Sequence, residues 1–424
     1  MSSGKQVNYR VGGWLPNDHP VMQRWLGRLV KRIEHEKISE ENFHPVIKEF
    51  QAVIENNPDI YVGFQLMFDE VPKKPPYNQD PSHHRQIRSY QHMLQAFNII
   101  IQSAPEYESN DGLVGFPINA ILDWPMATPA GLVTFLIPKL NEMFKKMFAV
   151  WSEFLTSPAS CSVLNTSANG WFGPAASADI PNFASTFICD PEAPHYGFKS
   201  WDNFFTRQFR EGLRPVEFPD NDSIINSACE CAFYRLKHNV HLHSDFVLKG
   251  QPYSLTTMLN HDELTQQFVG GTVYQAFLSA FSYHRFVSPV NGKVVKVVAI
   301  PGSYYAESPQ EGFSNPDGPD PAAANLSQAY ITSVAARTVL YIQADNPAIG
   351  LMAFMAVGMA EVSTCEIVVK PNQRIKKGDE TGMFHFGGST HCLIFRRGVN
   401  VTFDSAYTEP GASIKLNSAI ATVS

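Results

Sequence analysis

The apolar residues change their period part-way along the chain, and that change constrains the fold more than any single motif. In Phe43, Val46, Ile47, Phe50, Val53 and Ile54 they recur at three and four, the face of a helix closed by Asn57-Pro58. Tyr90, Met93, Leu94, Phe97 and Ile101 repeat the pattern before Pro105, and Leu132 to Leu155 predicts a longer amphipathic segment with Pro138 as a kink or a restart. From about Ile224 the runs turn short and β-branched: Ala232 to Leu236, Phe246 to Lys249, Val273 to Phe277, Gly292 to Ile300, Thr338 to Ala344, Leu351 to Met359 and Glu366 to Lys370, with turn residues between them. Strands with so few intervening helices predict a mostly antiparallel β core. The expected class is α+β, a helical N-terminal domain over residues 1–180 followed by a β-rich domain over 190–424. The boundary falls in the Ser-, Ala-, Asn-, Gly- and Pro-rich stretch from Thr156 to Asp190.

With 424 residues, 44% of them apolar, the chain can bury more than one core. Its net charge of −7 is spread over both signs, so no continuous basic face suits a nucleic acid. The N-terminus has neither a signal-peptide core nor an Arg-rich presequence, and the weakly apolar run Ala348 to Ala360 is too short to span a bilayer. A cytoplasmic protein with no membrane anchor is expected. Six cysteines form no Cys-x-x-Cys, and Cys229 and Cys231 are expected to be core thiols rather than metal ligands. Gly-x-Gly-x-x-Gly, Walker and Gly-x-Ser-x-Gly patterns are absent. The long loop Pro301 to Leu326, carrying Tyr304 and Tyr305, reads as a lid over a substrate site, with a disordered segment as the alternative.

Chemistry concentrates at Gly387-Gly388-Ser389-Thr390, which follows the polar turn Lys376 to Glu380 and lies between the β-like runs Glu366 to Lys370 and Leu393 to Phe403. Most such tetrads are turns or linkers. A serine behind two glycines can also cut its own chain, because no Cβ blocks the approach of Ser389 Oγ to the Gly388 carbonyl. The N-to-O acyl shift gives an ester, and elimination leaves dehydroalanine and a new carboxylate at Gly388. Water then replaces the dehydroalanine nitrogen, releasing ammonia and leaving a pyruvoyl group. A base must take the hydroxyl proton. His284 is the best candidate; if the Gly-Gly step keeps the register, strand alternation puts His385, Ser389 and His391 on one face, which makes His391 a substitute candidate. Glu230, flanked by apolar residues, would need a partner if buried.

The run from Lys377-Gly378-Asp379-Glu380 through Phe386-Gly387-Gly388-Ser389-Thr390 resembles the cleavage motif of the phosphatidylserine decarboxylase family, in which the Gly-Ser bond is cut and the serine becomes the pyruvoyl group. Phe204-Phe205-Thr206-Arg207 with Arg214-Pro215, the segment Lys249 to Leu255, Tyr283-His284-Arg285 with Pro289, and Ser227 to Cys231 resemble four further landmarks, so that the likeness covers about residues 190–424. It implies a cut between Gly388 and Ser389, a pyruvoyl cofactor, proton return by His284, and Glu230 in place of the family's orienting aspartate. The family's second histidine, which serves self-cleavage, falls on Val287. Three explanations stay open: His284 does both jobs, another residue has moved in, or the valine was engineered to hold the uncut form. The N-terminal half, Glu230 and Val362 to Glu366 look like the soluble fungal branch that decarboxylates aromatic L-amino acids. That implies a small amino-acid substrate, tryptophan first, and an arylalkylamine product. The alternatives are phosphatidylserine as substrate, or an uncut relative with a different activity or a binding role.

Overall fold

Proline is the first residue of most helices in the N-terminal half, where its missing N–H would have had no partner in any case. The computed structural model describes residues 19–71, 87, 89–107, 117–244, 253–278, 282–306, 327–361, 364–409 and 411–424. Helices α1 (His19–His35), α2 (Pro45–Glu55), α3 (Pro58–Glu70), α4 (Tyr90–Ile100), α5 (Pro117–Met126), α6 (Pro129–Phe135) and α7 (Pro138–Leu155) make up that half. The stretch expected as one long segment is two helices, because Pro138 restarts the chain as α7. The periodic stripe of α2 buries Val46, Ile47, Phe50 and Ile54, and Phe50 meets Phe144 of α7 edge-on with ring centroids 4.9 Å apart.

The second half is built from β1 (Ile224–Asn226), β2 (Cys231–His238), β3 (Thr272–Leu278), β4 (Arg285–Val287), β5 (Gly292–Ile300), β6 (Arg337–Ala344), β7 (Leu351–Met359), β8 (Cys365–Ile367), β9 (Arg374–Ile375), β10 (Glu380–Phe384), β11 (Gly388–Phe395), β12 (Val401–Phe403), β13 (Ser413–Ile414) and β14 (Ala419–Val423). Eight of them form one antiparallel sheet in the order β13-β2-β3-β11-β7-β6-β5-β9, and two three-stranded sheets, β4-β10-β8 and β1-β14-β12, accompany it. The architecture is α+β, with a helical N-terminal half and antiparallel sheets after it. The run expected from Leu393 to Phe403 is interrupted by Arg396 to Asn400, and the one from Glu366 to Lys370 pairs only as far as Ile367. Phe246 to Lys249 lies outside the described residues.

Both faces of the large sheet are covered, which is why β3, β7 and β11 are buried at every position. Cys392 and Ile394 of β11 join the core shared with the helices, together with Met355 and Val357 of β7. Leu393 and Phe395 join a second core that takes in Phe286 of β4 and Phe384 of β10. Strand alternation therefore turns Ser389 and His391 toward the second core and Thr390 toward the helices. Of the described helices, none is long and apolar enough to cross a membrane.

Candidate active site

Ser389 lies one residue inside β11, with Leu278 of β3 and Gly358 of β7 directly opposite it. It is fully buried, and its Oγ has no hydrogen-bond partner among the described residues. Leaving a buried hydroxyl unsatisfied costs about 1–3 kcal/mol, which marks it as a group kept for something other than stability. Gly387, with φ at 152°, stands where the chain leaves the β10 sheet and enters the large one. A side chain there would be strained. The tetrad is thus a crossing between sheets rather than a surface turn, and Gly388 already pairs with Met359. On the other face, Tyr253 donates to Gln275 (2.6 Å), Gln275 Nε2 donates to Thr390 Oγ1 (3.1 Å), and that hydroxyl donates to the Ala276 carbonyl (2.9 Å). This chain of bonds fixes the residue next to Ser389.

Two imidazoles at the site are uncharged. His284 immediately precedes β4, and its carbonyl accepts the Phe384 N–H at 2.8 Å, tying it to the strand that leads toward Ser389. Its ring stacks on Phe205 with centroids 3.9 Å apart. Burial first, and then the Arg207 guanidinium, hold its pKa well below the usual histidine value. Neither ring nitrogen makes a well-formed hydrogen bond among the described residues. His391, two residues after Ser389 on the same face of β11, is equally buried, and burial pulls its pKa down to about 3. Its ring nitrogens likewise make no well-formed hydrogen bond among the described residues, and its ring lies beside Phe354. Both rings offer a lone pair to a proton.

His385 does not share the strand face expected for it. The crossing at Gly387 interrupts the register, and its side chain is held elsewhere: Nδ1 lies 2.9 Å from Asp202 Oδ1 in the helix Trp201–Phe205, and Nε2 lies 2.8 Å from Glu366 Oε2 in β8. Burial pulls its pKa down, but the bonds and charges of Asp202 and Glu366 outweigh burial and raise it to about 9. Ser200 caps that short helix by accepting the Asn203 N–H at 3.0 Å, as its sequence suggests.

Glu230 binds Arg214 with both carboxylate oxygens, at 2.6 and 2.8 Å, and also accepts the Leu416 N–H at 2.7 Å. No hydrogen bond joins it to His284 among the described residues. Val287 is buried against Phe187, Tyr283 and Leu416, and its N–H donates to the Ala228 carbonyl at 2.9 Å. Leu416 thus packs in the cluster of Val287, the position aligned with the missing histidine, and donates its N–H to Glu230.

Tyr304 and Tyr305 belong to the core rather than to a mobile cover. Tyr305 is fully buried within 5.1 Å of Phe144, Tyr304 lies 4.9 Å from Phe148, and the Tyr304 N–H donates to Asn141 Oδ1. The rest of the expected lid, from residue 307 to 326, lies outside the described residues. Sequence reasoning missed Glu361. It follows β7 just past Met359, the partner of Gly388, and both it and Ala360 have left-handed φ, 48° and 56°. Glu361 Oε1 accepts the Ile118 and Asn119 N–H groups at the start of α5, while Oε2 is buried without a partner among the described residues. Burial pushes this carboxyl up to about 8. Among the described residues no group of three or more His, Cys, Asp or Glu is arranged to hold a metal ion.

Two sequence profiles, both described as phosphatidylserine decarboxylase, match residues 44–180 and 201–422. An L-tryptophan decarboxylase of Psilocybe cubensis is 36% identical over 98% of this chain and 94% of its own length. Decarboxylase iboD of Amanita muscaria is 42% identical over 73% of this chain and 91% of its own. The phosphatidylserine decarboxylase proenzyme of Clostridium botulinum strain Hall is 30% identical over 65% and 82%. The chain is a decarboxylase that belongs to the phosphatidylserine decarboxylase family.

Proposed function

We propose that the chain cuts itself between Gly388 and Ser389 and then decarboxylates an aromatic L-amino acid, L-tryptophan first, to the corresponding arylalkylamine. The observation that carries the first half is Ser389 itself, a fully buried serine with an unpartnered Oγ, behind a left-handed glycine and facing Gly358. Full-length similarity to L-tryptophan decarboxylases supports the second half. A pyruvoyl group derived from Ser389 supplies an electron sink for the pair left behind when CO₂ departs.

In this reading the protein's own groups do the rest. The two sheet neighbours of β11 hold Ser389 still, and Gly387 lets the Gly388 carbonyl turn toward its hydroxyl. His284, uncharged and with one ring nitrogen lone pair to offer, accepts the serine proton during the cut. In the mature site it returns a proton to the decarboxylated carbon, its ring kept in one plane by Phe205. Glu230, held by Arg214, fixes the backbone of Leu416, which packs in the cluster of Val287. Val287 is the specific argument for the uncut alternative, and cleavage decides between them.

The test is CO₂ release from L-tryptophan by purified, cleaved protein with no pyridoxal phosphate added. Turnover of the amino acid, with phosphatidylserine vesicles untouched, is the expected result. Turnover of the vesicles alone would move the reading to the lipid substrate.

A further inference from the structure

The stretch between β10 and the scissile bond is held at both ends. Upstream, Phe384 N–H donates to the His284 carbonyl and His385 N–H to the Thr364 carbonyl, at 2.8 and 2.9 Å. Phe386 is enclosed by Trp151, Trp201 and Phe205, with ring centroids 5.1, 4.6 and 5.7 Å away. Downstream, Ser389 is held between β3 and β7. Between these anchors stand two glycines, with the bond to be cut after the second. The ionic part of the upstream anchor is His385, which joins Asp202 of one element to Glu366 of another. Asp202 also sits in the helix whose Phe205 stacks on His284, so the same contact couples the pre-scissile segment to the element that orients the proposed base.

We propose that His385, as an imidazolium clamped between Asp202 and Glu366, is a positioning residue for self-cleavage: it holds Phe384 to Phe386 against both elements so that the Gly388 carbonyl stays in reach of Ser389. This rests on the self-cleavage reading above. A charge is needed as well as a shape, because a neutral imidazole presents one N–H and one lone pair, and only the cation donates to both carboxylates at once. Lysine, a cation with three donors, can serve the same two acceptors, whereas glutamine cannot supply the charge.

Cleavage is followed after pulsed cell-free synthesis, as the loss of full-length chain with time, for the wild type, His385→Gln, His385→Lys and Asp202→Asn, with Ser389→Ala as the uncut control. The expected result is a cut slowed about tenfold or more in His385→Gln, within about threefold of wild type in His385→Lys, and intermediate in Asp202→Asn, tenfold being the effect of about 1.4 kcal/mol on the barrier. Melting curves of the same changes placed on Ser389→Ala identify a variant that fails to fold. Asp202→Asn keeps the shape of the clamp while removing one charge, so it carries the test should His385→Gln not fold. The proposal is overturned if His385→Gln, or an unfolded His385→Gln together with Asp202→Asn, leaves the rate unchanged, and equally if lysine is as slow as glutamine. A wild-type chain that never cuts overturns the self-cleavage reading and this inference together, whereas a cut wild type with equally fast variants overturns only the clamp.

Discussion

Three buried side chains around β11 hold protons differently for reasons visible in their neighbours. Glu361 keeps its proton to about pH 8 because burial outweighs two backbone N–H bonds, and His385 keeps its own to about 9 because two carboxylates outweigh burial. His391 has only burial acting strongly on it and stays neutral down to about 3. The first two pKa values are raised by folding, so each proton stabilises the fold in full below the group's ordinary value and ceases to do so above its folded value. Stability of the uncut Ser389→Ala chain should therefore fall from about pH 4.5 to 8 on account of Glu361, and from about 6.5 to 9 on account of His385. Glu361→Gln should flatten the lower part of the melting-temperature profile and leave the upper part, and a profile unchanged by it would deny Glu361 its buried proton. At Val287 the contrast is kinetic. If the lost histidine limits the cut, Val287→His should speed it measurably in the same pulse experiment. An unchanged rate would mean that the uncharged imidazoles already present suffice.

Among the elements, the crossing from β10 to β11 carries the most consequence. Gly387→Ala should slow cleavage about tenfold or more while the sheet still forms, since its φ of 152° strains any side chain by about 1–3 kcal/mol. A cut at the wild-type rate would show that the crossing conformation plays no part. The strands themselves were legible from period and turn residues, because these are local signals. The division of Leu132 to Leu155 turned on Pro138, which sequence left open between a kink and a restart. The register of His385 hung on the Gly-Gly step, which sequence alone did not resolve, and the chain changes sheets there. The partners of His385 could not be found by spacing at all, being 183 and 19 residues away. The one clue was a lone aspartate inside the aromatic run Trp201-Asp202-Asn203-Phe204-Phe205. Glu361 was hidden for a similar reason, as its hydrogen-bond partners at the start of α5 are more than two hundred residues upstream.

Across the whole molecule, one core joins the N-terminal helices to the large sheet, so the face of β11 that carries Thr390 is roofed by residues far upstream. Trp151 near the end of α7 reaches Phe386, just before the proposed cleavage site, which gives the helical half a direct hold on that segment. Removing that ring by Trp151→Ala should cost about 3–5 kcal/mol, measured as a lower denaturation midpoint on the Ser389→Ala background. A shift under about 1 kcal/mol would contradict the close fit of the two halves. The central claim is that this chain makes its own cofactor from Ser389, and intact mass under denaturing conditions tests it most directly. The account predicts two species from the wild type, residues 1–388 ending in a free carboxylate and residues 389–424 beginning with a pyruvoyl group, and a single uncut species from Ser389→Ala. A wild-type chain that remains at full-length mass, with Ser389 unmodified, would contradict it.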